Sequence, residues 1–217
     1  MMKRFLGKLF FYFVLFVFVL FMRLNNYPLT LTLGIALTVS LIGYMILFVY
    51  PLVLEKRVER VEDFLLSQKH KPGIYIHYVL ANRLDDEAKT TMDKLMRKYK
   101  HSKALATYKA AYGLYCKDMA AIGEAVSHIR YPDYRKYYET VLLLEEGKSA
   151  QAQEHLQSIK KRWMRSALLA EMERRAGDIE AAVKHASEAV DASRGAQRYL
   201  LQREYERTLP QAVERVS

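Results

Sequence analysis

No Asp or Glu occurs before Glu55, although the 217-residue chain holds 24 acids and 34 Lys plus Arg. Residues 1–54 carry four charged side chains, Lys3, Arg4, Lys8 and Arg23. A stretch that apolar has no water-compatible face, which rules out a single soluble domain. Everything after Glu55 is too charged to enter lipid, which rules out a polytopic transporter or channel. The net charge of +10 divides into +4 on residues 1–54 and +6 on the rest. The chain therefore reads as an apolar leader joined to a charged domain.

Residues 9–22 are an unbroken apolar run, and extending back across Lys8 to Phe5 gives a first span at about 5–22. Its length is at the short end for a membrane-crossing helix, and Lys8 can reach the headgroups by its long stem. A second run, 29–54, has no charge at all. The polar turn from Arg23 to Pro28 between them predicts a transmembrane helical hairpin over residues 1–54. A signal peptide is the competing reading of the first run, but Leu20, Phe21, Met22 and Leu24 offer no small-residue cleavage site. Lys3, Arg4 and Lys8 precede the hairpin and Lys56, Arg57 and Arg60 follow it, which predicts cytoplasmic termini. Ala36, Ser40 and Gly43 form a small-residue stripe at helical spacing, a packing face for the first helix. Pro51 predicts a kink at the interface.

After Leu54 the apolar spacing becomes that of amphipathic helices. Residues 55–71 read as a juxtamembrane helix that continues the second span, with Val58, Val61, Phe64 and Leu65 on one stripe. Between 72 and 208 the chain repeats. Aligning Ala88, Ala121, Ala152 and Ala182 gives steps of 33, 31 and 30 residues. Each is preceded by a break with an Asp or Ser suited to capping the next helix, and two breaks contain Gly. Apolar or small residues recur four positions on at Met92, Ala125, Leu156 and Ala186. Seven positions on stand Leu95, His128, Ile159 and Ala189, with His128 the misfit. The pattern predicts helix pairs at about 72–99, 102–129, 132–160 and 163–193, with Ser102 and Pro132 marking first-helix starts. A polar final helix from Gln197 to Thr208 would cap the open end of the stack.

The fourth segment resembles a tetratricopeptide repeat through Leu169 and Ala170 in its first helix, Gly177 at the turn, and Ala182 and Ala189 in its second. The third keeps Gly147, Ala152 and Leu156. The resemblance covers roughly residues 72–193 and implies an α-α superhelix that serves protein interaction, so the fold class expected is all-α.

Signatures of enzyme chemistry are missing. There is no phosphate-binding or dinucleotide-binding glycine motif, no zinc-peptidase motif and no nucleophile elbow. Cys116 is the only cysteine, and the six His are scattered singly, His70 and His77 being the nearest to a pair. No cofactor, metal or small-molecule substrate is expected. Two clusters that mix bases with aromatics do stand out, one around Tyr134, Arg135, Tyr137 and Tyr138, the other around Trp163 and Arg165. Both fall at the start of a first helix, where such residues are good anchors for a partner. Nucleic acid is disfavoured, because 24 acids dilute the +6 of this part. The expectation is a membrane-anchored adaptor, not an enzyme, set in a plasma or inner membrane and binding a protein partner. The alternative is an accessory subunit of a membrane complex recognised through Ala36, Ser40 and Gly43.

Overall fold

A computed structural model describes residues 2–100 and 104–214, with side chains from Tyr12 onward. Ser102 and the side chains of residues 5–11 of the first expected span lie outside the described residues. The described chain is all-α and divides into two compact units, Met1–Glu55 and Lys56–Ser217.

In the first unit α1 (Met2–Leu24) packs on α2 (Leu29–Tyr44). The turn between them is local chemistry. Asn26 takes the left-handed conformation at φ 58°, and the Tyr27 N–H returns to the Met22 carbonyl at 3.1 Å. Asn25 donates its amide to Phe21 O at 2.9 Å. Asn accepts that backbone more readily than other residues with a Cβ. Thr32 and Thr38 bury their hydroxyl hydrogens on Pro28 O and Gly34 O, one turn back. Thr32 and Gly43 are buried and Ala36 and Ser40 half-buried, so the small-residue stripe is the covered side of α2 and extends one turn further to Thr32. The opposite side is exposed, with Leu37 73% accessible.

From Met45 to Leu54 the helix widens to π geometry, with Pro51 inside it. Proline lacks the N–H for the normal ladder and crowds the carbonyl four residues back; the longer π turn relieves both. Leu29–Leu54 as a whole is one helix long and apolar enough to cross a membrane, and α1 contributes the shorter apolar stretch Tyr12–Leu24. The expected run-on into residues 55–68 does not occur. Glu55 and Arg57 have extended backbones, and a separate helix α3 (Val58–Ser67) begins after them. It belongs to the second unit, where its stripe of Val58, Val61, Phe64 and Leu65 is buried.

The second unit continues with four helix pairs. These are α4 (Pro72–Ala81) with α5 (Asp85–Lys98), α6 (Leu105–Cys116) with α7 (Met119–Val126), α8 (Pro132–Glu145) with α9 (Ser149–Gln157), and α10 (Arg162–Ala176) with α11 (Ile179–Ala192). Then come α12 (Gly195–Thr208) and the short α13 (Pro210–Glu214), which the sequence pattern did not anticipate.

All four pairs turn in the same way. Arg83, Lys117, Gly147 and Gly177 are left-handed, at φ 53°, 58°, 73° and 86°. In each turn the next N–H returns five residues, from Leu84 to Val79 O, Asp118 to Gly113 O, Lys148 to Leu143 O and Asp178 to Glu173 O, at 2.8–3.1 Å. This is the Schellman arrangement, which satisfies carbonyls a helix end leaves open. It sets the steps at 34, 30 and 30 residues. On that spacing the equivalents are Ala88, Ile122, Ala152 and Ala182, followed by Met92, Val126, Leu156 and Ala186, then Leu95, Ile129, Ile159 and Ala189. All twelve are buried.

The alignment through Ala121 is thus one residue out, and the misfit His128 is an exposed neighbour of Ile129. The second pair hides its register because it inverts the usual size choice. Where the others place Ala on the second helix, it places Ile122, and the space comes from Gly113 on α6. A Cβ at Gly113 would stand 3.0 Å from Ile122 Cγ1. Of the expected caps, Asp118 and Asp178 accept the N–H of Ala121 and Ala181 at 3.0 and 2.9 Å. Asp85 and Ser149 instead sit inside their helices.

The last long helix does more than cover an end. α12 packs against α11 and α13 and also reaches α3 and α4, so the final pair is tied to the first. Tyr199, fully buried, accepts a hydrogen bond from Asn82 at 2.7 Å and donates one to Glu62 at 3.2 Å. Arg203 pairs with Glu62 at 2.8 Å, and Arg207 donates to Ala81 O at 2.8 Å.

Candidate functional site

The first helices α4, α6, α8 and α10, with α12 across them, line a chamber of about 1260 Å3 that is open to solvent on part of its surface. Its walls follow from the 30-residue step. Tyr108, Tyr138 and Leu168 occupy equivalent places, as do Ala104 and Tyr134, Ala111, Val141 and Glu171, and Tyr115, Glu145 and Arg175. One stripe of each helix, repeated, makes the wall.

Of the six side chains singled out from sequence as partner contacts, Tyr134, Tyr137, Tyr138 and Trp163 line this chamber. Trp163 lies between two of the tyrosines, 6.3 Å from Tyr134 and 6.1 Å from Tyr137 between ring centroids. Arg135 and Arg165 are exposed and outside the lining. Each is off the inward stripe by helical rotation, since Arg135 follows Tyr134 by about 100° and Arg165 follows Trp163 by about 200°. Arg135 has local work instead, donating from Nη2 to Ile129 O at 2.7 Å and from Nε at 3.1 Å. It thereby closes the carbonyl end of the turn after α7.

The chamber has two chemically different ends. The last turns of α4, α6, α8 and α10 meet at one, as hydrogen bonds between them record. Arg83 donates to Tyr115 O at 3.2 Å, Arg175 to Leu144 O at 2.9 Å, and Arg207 to Ala81 O at 2.8 Å. Three arginines thus occupy helix C-termini, where both the open carbonyls and the helix dipole favour a cation. Carboxylates complete the network. Glu171 is shared by Arg174 at 2.8 Å and Arg175 at 2.6 Å, Arg175 also holds Glu145, and Glu204 is shared by Arg83 and Arg207. Burial alone would raise the Glu171 carboxyl, but the hydrogen bonds from Arg174 and Arg175 outweigh it and hold it below the usual carboxylate range.

At the other end the first turns of α8 and α10 lie together, joined by the Lys160 N–H on Asp133 Oδ1 at 3.3 Å. Here Tyr131, Tyr134 and Trp163 form the wall, and Lys161 stands over the Tyr134 ring at 4.5 Å.

Between the ends the walls are mostly apolar, with Leu80, Ala111, Leu114, Val141, Ala167 and Leu168 among them. Burial holds the His77 imidazole down to about 4, so it is neutral at physiological pH. Burial likewise raises the phenols of Tyr134, Tyr138 and Tyr205, and pushes Tyr137 up to about 12. All four remain protonated and able to donate. Among the described residues, none of these four hydroxyls hydrogen-bonds a protein group; the network instead uses Tyr75, Tyr108, Tyr115 and Tyr199. Sequence reasoning missed His77, Tyr108, Tyr115, Tyr205 and the paired arginines. Tyr108 was accessible by projecting Tyr138 back through the 30-residue step; His77 and Tyr115, which correspond to Val141 and Glu145, and Tyr205 and Arg207 on α12 were not.

Compared with known protein families, curated proteins and solved structures, the chain shows no match.

Proposed function

We propose that this chain is a membrane-anchored adaptor that holds a segment of a protein partner in the chamber of its helical domain. The observation that carries the reading is the convergence of Tyr134, Tyr137, Tyr138 and Trp163, from two different helices, on one cavity. Rigid aromatic side chains of this kind supply large contact areas at small entropic cost and dominate many interfaces. The four pairs are read as a tetratricopeptide-like α-α superhelix, supported by the recurrent left-handed turn and by the buried register it sets. First helices in such a stack face inward and present a binding surface.

The first unit is read as a transmembrane hairpin spanning about 5–22 and 29–54. Support comes from the exposure of Phe13, Phe16, Phe21, Leu33, Leu37 and Leu41, which water would penalise and lipid would not. The bases before and after the hairpin favour cytoplasmic termini and a cytoplasmic helical domain at a plasma or inner membrane. The accessory-subunit reading is weaker, because the stripe of Ala36, Ser40 and Gly43 lies on the covered side of α2.

A photo-crosslinking residue at Tyr134 or Trp163 in cells tests the adaptor. Capture of one specific protein, lost when the crosslinker is moved to exposed Lys184, is the expected result. Recovery of lipid alone refutes it. Replacing residues 1–54 with an unrelated hairpin should leave that capture intact.

A further inference from the structure

The chamber asks more of its occupant than apolar surface. Tyr134, Tyr137, Tyr138 and Tyr205 present hydroxyls that no protein acceptor takes up and that stay accessible from the chamber, and Thr107 Oγ1 in the same lining is buried without a partner, which is costly. Oxygen acceptors on a ligand would satisfy them. The aromatic end adds charge of which, among the described residues, only Lys161, over the Tyr134 ring at 4.5 Å, has a partner within the fold. Arg130, Lys160, Lys161, Arg162 and Arg165 cluster at the starts of α8 and α10, and among the described residues none forms an ion pair. The first turn of α10 contains no acid, and Asp133 is the single one in that of α8. A helix N-terminus carries partial positive charge, so acids there stabilise and bases oppose the fold by a few tenths of a kcal/mol each. The arginine end shows the contrary arrangement, with every arginine placed on a carbonyl or a carboxylate. At about 1260 Å3 the chamber also exceeds the usual 300–1,000 Å3 or so of small-molecule pockets and suits a polypeptide segment.

We infer that the occupant is an acidic polypeptide segment bearing apolar or aromatic anchors, entering at the aromatic end between the first turns of α8 and α10. Its anchors would pack on Trp163 and Tyr134, its carbonyls and carboxylates would accept from the free phenols, and its remaining acids would meet Lys160, Lys161 and Arg162. The inference rests on the adaptor reading and adds the sign of the partner's charge and the point of entry. A flat anionic lipid surface would neutralise the same bases but has no use for a walled chamber.

The experiment uses the full chain in phosphatidylcholine nanodiscs and a random-peptide display library. Trp163 is the only tryptophan, so its emission reports directly on the chamber. Enriched peptides should be rich in Asp and Glu beside Leu, Phe or Tyr, and tryptophan-free ones should shift Trp163 emission saturably. Salt should weaken them. The combined K160E, K161E and R162E changes should weaken binding about tenfold or more, and K160Q, K161Q and R162Q should weaken it less, with unfolding of both variants followed in parallel. Tyr134→Ala should abolish the emission shift. If no peptide is enriched over discs carrying the hairpin alone, the adaptor reading falls and this inference with it. Enrichment of neutral or basic peptides that move Trp163 emission keeps the adaptor and overturns the inference. So does acidic binding that leaves Trp163 unchanged, or binding of phosphatidylglycerol vesicles through the three bases without any peptide reaching the chamber.

Discussion

The two ends of the chamber hold similar numbers of bases and put them to different uses. At the arginine end, Arg83, Arg175 and Arg207 sit on last-turn carbonyls and share Glu145, Glu171 and Glu204. At the aromatic end, Lys160, Lys161 and Arg162 face the start of a helix with no acid in its first turn. The same charge is structural where it meets open carbonyls and surplus where it meets open N–H groups. A base whose position already has a structural reason says little about partners; one placed against local preference says more.

The comparison can be broken most directly at Arg175. Its replacement by Ala removes a helix-end bond and two carboxylate contacts, leaving Glu145 and Glu171 short of a partner. The expected loss is about 2 kcal/mol, read from the urea midpoint. A loss within experimental error would mean that the arginine end is no more structural than the other.

His77 sharpens the contrast from the interior, where neither set of charges reaches. Its ordinary pKa of 6.5 falls to about 4 in the fold. The unfolded chain therefore takes up a proton first as pH drops. Stability is full above about 6.5 and is lost as pH falls toward 4, by roughly 1–2 kcal/mol once the partial access to the chamber is allowed for. Thermal unfolding of His77→Gln across that window should be flatter than that of the parent chain.

Lys117 tests whether turn geometry or charge matters at the arginine end. It has the left-handed conformation at φ 58° that Gly147 and Gly177 provide in later turns. Lys117→Gly should raise stability by about 1 kcal/mol despite the lost charge. A decrease would show that the lysine contributes a contact outweighing its backbone cost.

The smallest stability effect is expected at the aromatic end. Changing Lys160 and Arg162 to Gln, with Lys161 kept over the Tyr134 ring, should leave unfolding unchanged or raise stability by a few tenths of a kcal/mol. A clear destabilisation would give these bases a structural purpose and erase the difference between the ends.

Much of this was legible in the residues, because its causes are local. The acid-free stretch before Glu55, the Gly turns at 147 and 177 and the capping Asp residues at 118 and 178 act over a few positions and could be read directly. The second pair was misread because the space for Ile122 is made by Gly113 on another helix, which no single-segment pattern displays. The helix expected to run from Leu54 into residue 55 onward was interrupted by a backbone change that apolar periodicity does not record. Four of the six proposed contacts converge, while Arg135 and Arg165 turn away by helical rotation. Sequence proximity to an aromatic cluster had not distinguished them.

The sequence by itself determined the division into an apolar and a charged unit, the helical character of both, and most helix ends, since composition, capping and turn residues act at short range. Only the tertiary structure decided which aromatic side chains share a chamber, which phenols are left without an acceptor, and that α12 ties the last pair to the first. Those outcomes depend on groups such as Asn82 and Tyr199, 117 residues apart, whose meeting is set by the sum of four helix-pair turns.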